Sequence, residues 1–312
     1  MPTTSLRKKT GLGRPFFTPS PEPNERLADY TPNRRQHRWL GKLNLHGSLS
    51  SNYLFEYDRL EGLKNYGLAK KKLNELWRAG YVKRPEQQLT NYTLRNSHYV
   101  YALTKKGRTF LAATGHSVES LPPSGPWVHQ FMISTITATM EILCRREGYR
   151  FVPAHEILKG RQLACDVPFT WKKRSYTKAL IPDSIFAIDY GKSFIFYVVE
   201  ADRNTEGNDL ETPHRKCVRR SVRQYARFNE MYRDHYGLKA PMVVLNITTS
   251  EPHIDNCLQI VDEEIGPCNF LAYGLAPSFG YYWRPPQLMS HLFTEGLKRN
   301  GRQDWIIKKD PN

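Results

Sequence analysis

Three acidic residues, Asp183, Glu200 and Asp202, have a spacing that could hold a divalent cation. Ile185, Phe186, Ala187 and Ile188 form one strand candidate, and Phe194 to Val199 form a second that is almost wholly apolar and reads as buried on both faces. Asp189-Tyr190-Gly191-Lys192-Ser193 is a turn signal, so the two strands are expected to pair as a hairpin. A two- or four-residue loop centred on Gly191 and Lys192 sets Asp189 opposite Phe194 and, further out, Asp183 opposite Glu200. Directly opposed side chains have Cβ atoms about 4.5–5.5 Å apart. Asp202 shares the face of Glu200, because a strand alternates with period two. Opposed carboxylates repel, so hairpin stability alone does not favour them. A hard cation with oxygen ligands, Mg²⁺ or Mn²⁺, reverses that sign. A β-bulge in either strand would shift the register.

Pro182-Asp183 followed by Glu200-x-Asp202 resembles the PD-(D/E)xK nuclease core. The resemblance implies that the Asp and the Glu, on neighbouring strands, hold the metal. It also implies that a lysine two residues after the Glu positions the attacking water. Here that position is Asp202, followed by Arg203, and arginine does not act as a base near neutral pH. Lys216 is the candidate for a lysine that has moved. The implied catalytic set is Asp183, Glu200, Asp202 and Lys216. The implied metal set is Asp183, Glu200 and Glu141, with an exposed surface carboxylate as the alternative reading of Glu141. His129 could lie near the site or serve as a capping or packing histidine.

Other chemistries find less support. His155-Glu156 lacks the second histidine of a zinc motif, and Gly11-Leu12-Gly13 lacks a P-loop lysine. No nucleophile elbow of the GxSxG kind is present. The five cysteines (144, 165, 217, 257 and 268) are widely spaced and form no CxxC pair, which favours reduced thiols over a zinc site or a disulfide frame.

The elements that must position the acids read as an α/β order. A helix is expected over 128–146, after the breaker cluster Leu121-Pro122-Pro123-Ser124-Gly125-Pro126. After the hairpin come a helix over 212–236, a buried strand over 241–247, a helix over 254–265 and a strand over 269–273. The 212–236 helix carries seven arginines and lysines, among them Arg219 and Arg223. Its basic face is expected to meet a phosphate backbone, with a solvated basic helix as the alternative.

The net charge of +16 is unevenly distributed. Residues 1–120 hold 21 Lys and Arg against 9 Asp and Glu, which points to a polyanion partner for the N-terminal third. Residues 1–24, rich in Pro, Ser and Thr, read as a tail, and Arg7-Lys8-Lys9 has no following apolar run of the secretory kind. Helices are expected over 33–45 and from residue 49 to residue 60. A third, over 67–79, shows an apolar stripe (Leu68, Ala69, Leu73, Leu76, Trp77) and a basic opposite face, and Gly80 ends it. A hairpin with a long polar tip follows, returning through Tyr99 to Leu103, and Thr104 opens a last helix.

Leu73-x-x-Leu76-x-x-Ala79-Gly80-Tyr81-Val82-x-Arg84, then Tyr101-x-Leu103-Thr104-x-Lys106-Gly107-Arg108-x-x-Leu111, resembles the helix–wing–helix signature of bacterial winged-helix domains. The resemblance implies double-stranded DNA as partner, met by Lys70, Lys71, Asn74, Arg78, Lys83 and Arg84, with Arg219 and Arg223 adding a second contact. A winged helix used only for protein contacts is the alternative.

A wider resemblance takes in the winged helix, His129, Pro182-Asp183, Glu200-x-Asp202-Arg203-x-Thr205-Glu206, Lys216 and Tyr225. These residues are similar to the replication-relaxation family of bacterial plasmids and mobile elements. The expected fold class is a two-domain α/β chain: a winged helix-turn-helix followed by a PD-(D/E)xK nuclease-like α/β core. The expected divisions are a basic tail (1–27), the winged helix (28–118), a linker (119–126), the nuclease-like domain (127–285) and a C-terminal extension (286–312). The function expected is a DNA-binding protein with an Mg²⁺-dependent endonuclease or nickase activity. The alternative is a non-catalytic replication or transcription regulator on the same scaffold. Replication or mobilisation proteins and a second copy of the chain are further partners to expect. No apolar run approaches the length of a membrane helix, and a bacterial cytoplasmic location is expected.

Overall fold

Caps and apolar spacing set the first helices. A computed structural model describes residues 22–23, 25–88, 98–116, 125–204, 207 and 214–309. Helix α1 (Arg34–His46) starts at Asn33, whose side chain accepts from the Gln36 N–H while the Gln36 side chain accepts from the Asn33 N–H. Strand β1 (Leu49–Ser50) leads into α2 (Ser51–Leu60), and Asn65 caps α3 (Tyr66–Arg78). The stripe of α3 is narrower than its spacing predicts. Ala69, Leu73, Leu76 and Trp77 are buried, but Leu68 is 43 % exposed and falls outside the stripe.

Gly80, at φ +76°, turns the chain out of α3, a left-handed conformation that favours glycine. Strands β2 (Val82–Lys83) and β3 (Val100–Leu103) follow, and the sheet order is β1-β3-β2, all antiparallel. Thr104 caps α4 (Lys105–Ala113) and also donates to the Gly80 carbonyl at 2.6 Å, while Lys106 Nζ donates to the Ala79 carbonyl at 2.8 Å. A Cβ on Gly107 would stand 2.3 Å from the Tyr81 carbonyl oxygen, so α4 approaches that turn as closely as glycine allows. The Thr-x-Lys-Gly run is thus bonded directly to the Ala-Gly-Tyr run before it. The polar tip of this hairpin, residues 89–97, and most of the expected linker lie outside the described residues.

Helix α5 (Trp127–Arg146) is buried nearly all round. Ala138 and Ile142 pack with α1–α4, whereas Ile136 and Met140 pack on the sheet that follows. That sheet is assembled from β4 (Arg150–Pro153), β7 (Ser184–Asp189), β8 (Phe194–Asp202), β9 (Met242–Thr248) and β10 (Leu271–Leu275), in the order β10-β9-β8-β7-β4. The pairs β4–β7 and β7–β8 are antiparallel, and β8–β9 and β9–β10 are parallel. Between β4 and β7 lie the short helix α6 (Ala154–Leu158) and a separate hairpin of β5 (Cys165–Trp171) and β6 (Arg174–Leu180). Helices α7 (Val218–Tyr236) and α8 (Glu251–Ile265) cover one face of the sheet. Helix α5 and the C-terminal segment, with α9 (His291–Thr294), cover the other. The architecture is mixed α/β, as expected. All five cysteines are buried free thiols. Among the described residues no helix is long and apolar enough to cross a membrane.

Candidate active site

The β7–β8 hairpin keeps the expected register throughout, from Asp189 opposite Phe194 to Ser184 opposite Val199, without a bulge. One step further out, the Asp183 N–H donates to the Val199 carbonyl at 3.1 Å. The Asp183 carboxylate accepts the Ala201 N–H at 2.8 Å, and its other oxygen lies 3.0 Å from Nε2 of His129, on the first turn of α5. Burial alone would lower the His129 pKa, but the hydrogen bond and charge of Asp183 outweigh it and the net shift is upward.

Glu200 is 8 % exposed on the face of β8 that α7 covers. One of its oxygens accepts from the Tyr225 hydroxyl and the other accepts from Lys216 Nζ at 3.1 Å. Burial pushes the Glu200 carboxyl up to about 7; the Asp183 charge adds to this, while Lys216 and Tyr225 oppose it. Asp202 lines the same small cavity as Glu200, on the shared face of β8 as expected, but is turned to α8: its Oδ2 lies 2.7 Å from Nε2 of His253. That hydrogen bond, more than the neighbouring Cys257, raises the His253 pKa to about 10.

Asp183, Glu200, Lys216 and His129 therefore share one end of the sheet. Among the described residues no group of three or more His, Cys, Asp or Glu is placed to hold a metal ion. Two carboxylates still fit Mg²⁺, which is commonly held by one or two of them with substrate phosphates and water completing the shell. Each carboxylate oxygen here accepts one hydrogen bond and has a second lone pair. A cleft of about 700 Å³ reaches Asp183 from the β2–β3 side, lined also by Lys83, Arg108, Trp127, Gln130 and His155.

The sequence model of a family described as replication-relaxation matches residues 40–240. The chain belongs to the replication-relaxation family. No match was found among curated proteins or among solved structures. Membership supports a replication-related role in plasmids or mobile elements. The span of the replication-relaxation match holds α3, His129, Asp183, Glu200 and Lys216, whereas α8, with His253, follows it.

Glu141 does not join Asp183 and Glu200 in this replication-relaxation chain. It lies twelve residues beyond His129 on α5, about 18 Å along the helix axis at 1.5 Å per residue. There it is bound by Lys42, by His46 at 2.8 Å and by the Tyr57 hydroxyl at 2.9 Å. Neither an exposed carboxylate nor a partner of the Asp183 pair, it ties α5 to α1 and α2.

The expected DNA contacts separate in the same way. Lys70, Lys71 and Lys83 are exposed. Asn74 is half-buried and its side-chain carbonyl accepts from Arg84 at 3.2 Å. Arg78 pairs with Glu25. Arg84 is buried, its guanidinium 3.7 Å from the Trp77 ring centroid and 4.1 Å from that of Tyr99, so it packs between aromatic faces instead of projecting from the surface. Arg219 binds Glu263 at 2.8 Å and Glu264 at 2.5 Å, and Arg223 binds Glu264 and the Thr170 carbonyl. The basic face expected of α7 is neutralised there by two acids of α8. Reading α7 by itself could not reveal this, because those acids lie more than forty residues away. His253 was missed for the same reason.

Proposed function

We propose that this chain is a DNA-processing protein of a plasmid or mobile element. Its first part, residues 28–118, grips the duplex as a winged helix-turn-helix, and its second, residues 127–285, acts on a phosphodiester as a PD-(D/E)xK-type endonuclease or nickase. The observation that carries this reading is the approach of Lys216 Nζ to Glu200, 3.1 Å away, beside Asp183. It supplies a lysine at the carboxylate although Asp202 occupies the usual lysine position. Asp183 and Glu200 would hold Mg²⁺ or Mn²⁺, which when bound supplies positive charge to the phosphate and polarises a water. Lys216 orients that water or neutralises a phosphate oxygen. Tyr225 fixes the rotamer of Glu200, and His129 fixes Asp183. Exposed Lys70, Lys71 and Lys83 meet the backbone of the duplex.

A second reading, a DNA-binding regulator without catalysis, is favoured by one observation. Lys216 and His129 already pair with the two carboxylates without a metal. Supercoiled plasmid with Mg²⁺ or Mn²⁺ separates the two. The first reading expects nicked circles from the wild type and none from Asp183→Ala, Glu200→Ala or Lys216→Ala. No nicking by any protein leaves the regulator, and equal nicking by all points to a contaminant. Reversal of Lys70 and Lys71 to Glu should weaken duplex binding at least about tenfold and flatten its salt dependence by about two units of slope. Unchanged affinity removes the winged-helix assignment.

A further inference from the structure

Two tyrosines, Tyr281 and Tyr282, are the most exposed large apolar side chains among the described residues, at 87 % and 75 %. Their rings meet edge to face, with centroids 4.8 Å apart. The loop that carries them is well anchored. Arg203, the residue after Asp202, donates from Nε to the Phe279 carbonyl at 2.9 Å and from Nη2 to the Gly280 carbonyl at 3.3 Å. The Ala276 N–H donates to the Thr248 carbonyl at the end of β9. Trp283, next in the chain, is buried against Trp127 and Phe131, two residues either side of His129 on α5. Trp127 also lines the cleft that reaches Asp183. The tyrosines are thus held at the same end of the sheet as the candidate site, on a backbone fixed by a guanidinium that cannot be the missing base.

We infer that Tyr281 and Tyr282 form a stacking platform for unpaired nucleobases next to the site. This rests on the DNA reading above and deepens it: the substrate carries a single-stranded stretch beside the duplex that α3 holds. Aromatic faces suit this ligand because every base presents a π-face, and stacking tolerates any sequence. Arg284, exposed two residues further on, adds positive charge for the strand's backbone. A folded partner protein would also cover exposed tyrosines, but the exposed Arg284 beside them and the adjoining site favour nucleic acid.

The test is fluorescence anisotropy in EDTA, so that cleavage plays no part. The probes are a blunt duplex and the same duplex with a single-stranded thymidine tail. The wild type should bind the tailed probe more tightly. The double variant Tyr281→Ala, Tyr282→Ala should lose about tenfold on the tailed probe and less than about twofold on the blunt one, while Tyr281→Phe, Tyr282→Phe keeps the preference. Equal affinity of the wild type for both probes, or equal losses on both in the alanine variant, overturns the platform and leaves duplex binding standing. Failure of the wild type to bind either probe overturns the DNA reading and the platform with it. A drop in self-association of the alanine variant by sedimentation, with the tail preference intact, assigns the tyrosines to a protein contact instead. An unchanged melting temperature shows that the variant is folded.

Discussion

Glu141 and Glu200 are two buried glutamates with nearly the same local partners, 6 % and 8 % exposed. Each accepts from a tyrosine hydroxyl, Tyr57 or Tyr225, and from a lysine, Lys42 or Lys216. Their pKa values shift in opposite directions. Glu141 has His46 as an additional partner, and Arg145 approaches at 3.9 Å. Burial opposes its ionisation, but the hydrogen bonds and charges of His46 and Lys42 hold the carboxyl well below the usual range. Glu200 faces another carboxylate, Asp183, and is pushed up to about 7. One carboxylate is over-compensated and acts as a structural tie between α1, α2 and α5. The other is under-compensated, and such groups gather at sites of chemistry. Residue type and burial do not separate a tie from a site; the sign of the next nearest charge does.

The largest effect expected from this contrast is at the tie. Glu141→Ala should cost about 3–5 kcal/mol, because it leaves the buried His46 ring and the part-buried Lys42 ammonium without their acceptor. Urea denaturation measures it; a loss under about 1 kcal/mol would mean that water readily replaces the carboxylate. Because folding depresses the Glu141 pKa, its contribution is present above about 4.5 and fades as pH falls through the lower native value. The gap between the wild type and Glu141→Ala should therefore narrow in acid.

Glu200→Gln tests the other side, with the opposite sign. Folding raises this pKa, so the native state bears the cost of the buried charge above about pH 7 and is relieved of it below about 4.5. In EDTA the variant should gain on the wild type as pH rises across that window, by up to about 3 kcal/mol. A pH-independent difference would show that Lys216 and Tyr225 fully compensate the charge, and the contrast with Glu141 would disappear.

The smallest effect sharpens the comparison with a third carboxylate, Asp202, which pairs with a His253 only partly shielded from solvent. His253 is raised to about 10, so its contribution is complete below its unfolded value near 6.5 and is lost as pH rises through about 10. The melting temperature of His253→Gln should lie a few degrees below that of the wild type at neutral pH and converge with it above pH 10. A gap that persists there would assign the effect to packing.

The expected placement of Asp183 opposite Glu200 follows from local rules alone. A short turn around Gly191 and strict alternation leave one register open, and the hairpin keeps it. The helices α1, α3 and α4 were equally legible from short contiguous segments, and Asn33, Asn65 and Thr104 cap them within their own first turns. Less legible was the β5–β6 hairpin. Lys172 and Lys173 form its turn at φ 45° and 64°, where Asn and Gly are the usual signals.

Charge pairing was legible only where the partners lie close in the chain. The sequence by itself determined the mixed α/β class, the family and the register that opposes two acids, since each depends on periodicity or on a contiguous motif. Only the tertiary structure decided that Arg84 is packed between rings, that Glu263 and Glu264 occupy Arg219 and Arg223, and that Glu141 is a tie and not a ligand. A charge is exposed or neutralised by whatever element packs against it, and here those elements are supplied by chain 10 to nearly 100 residues away.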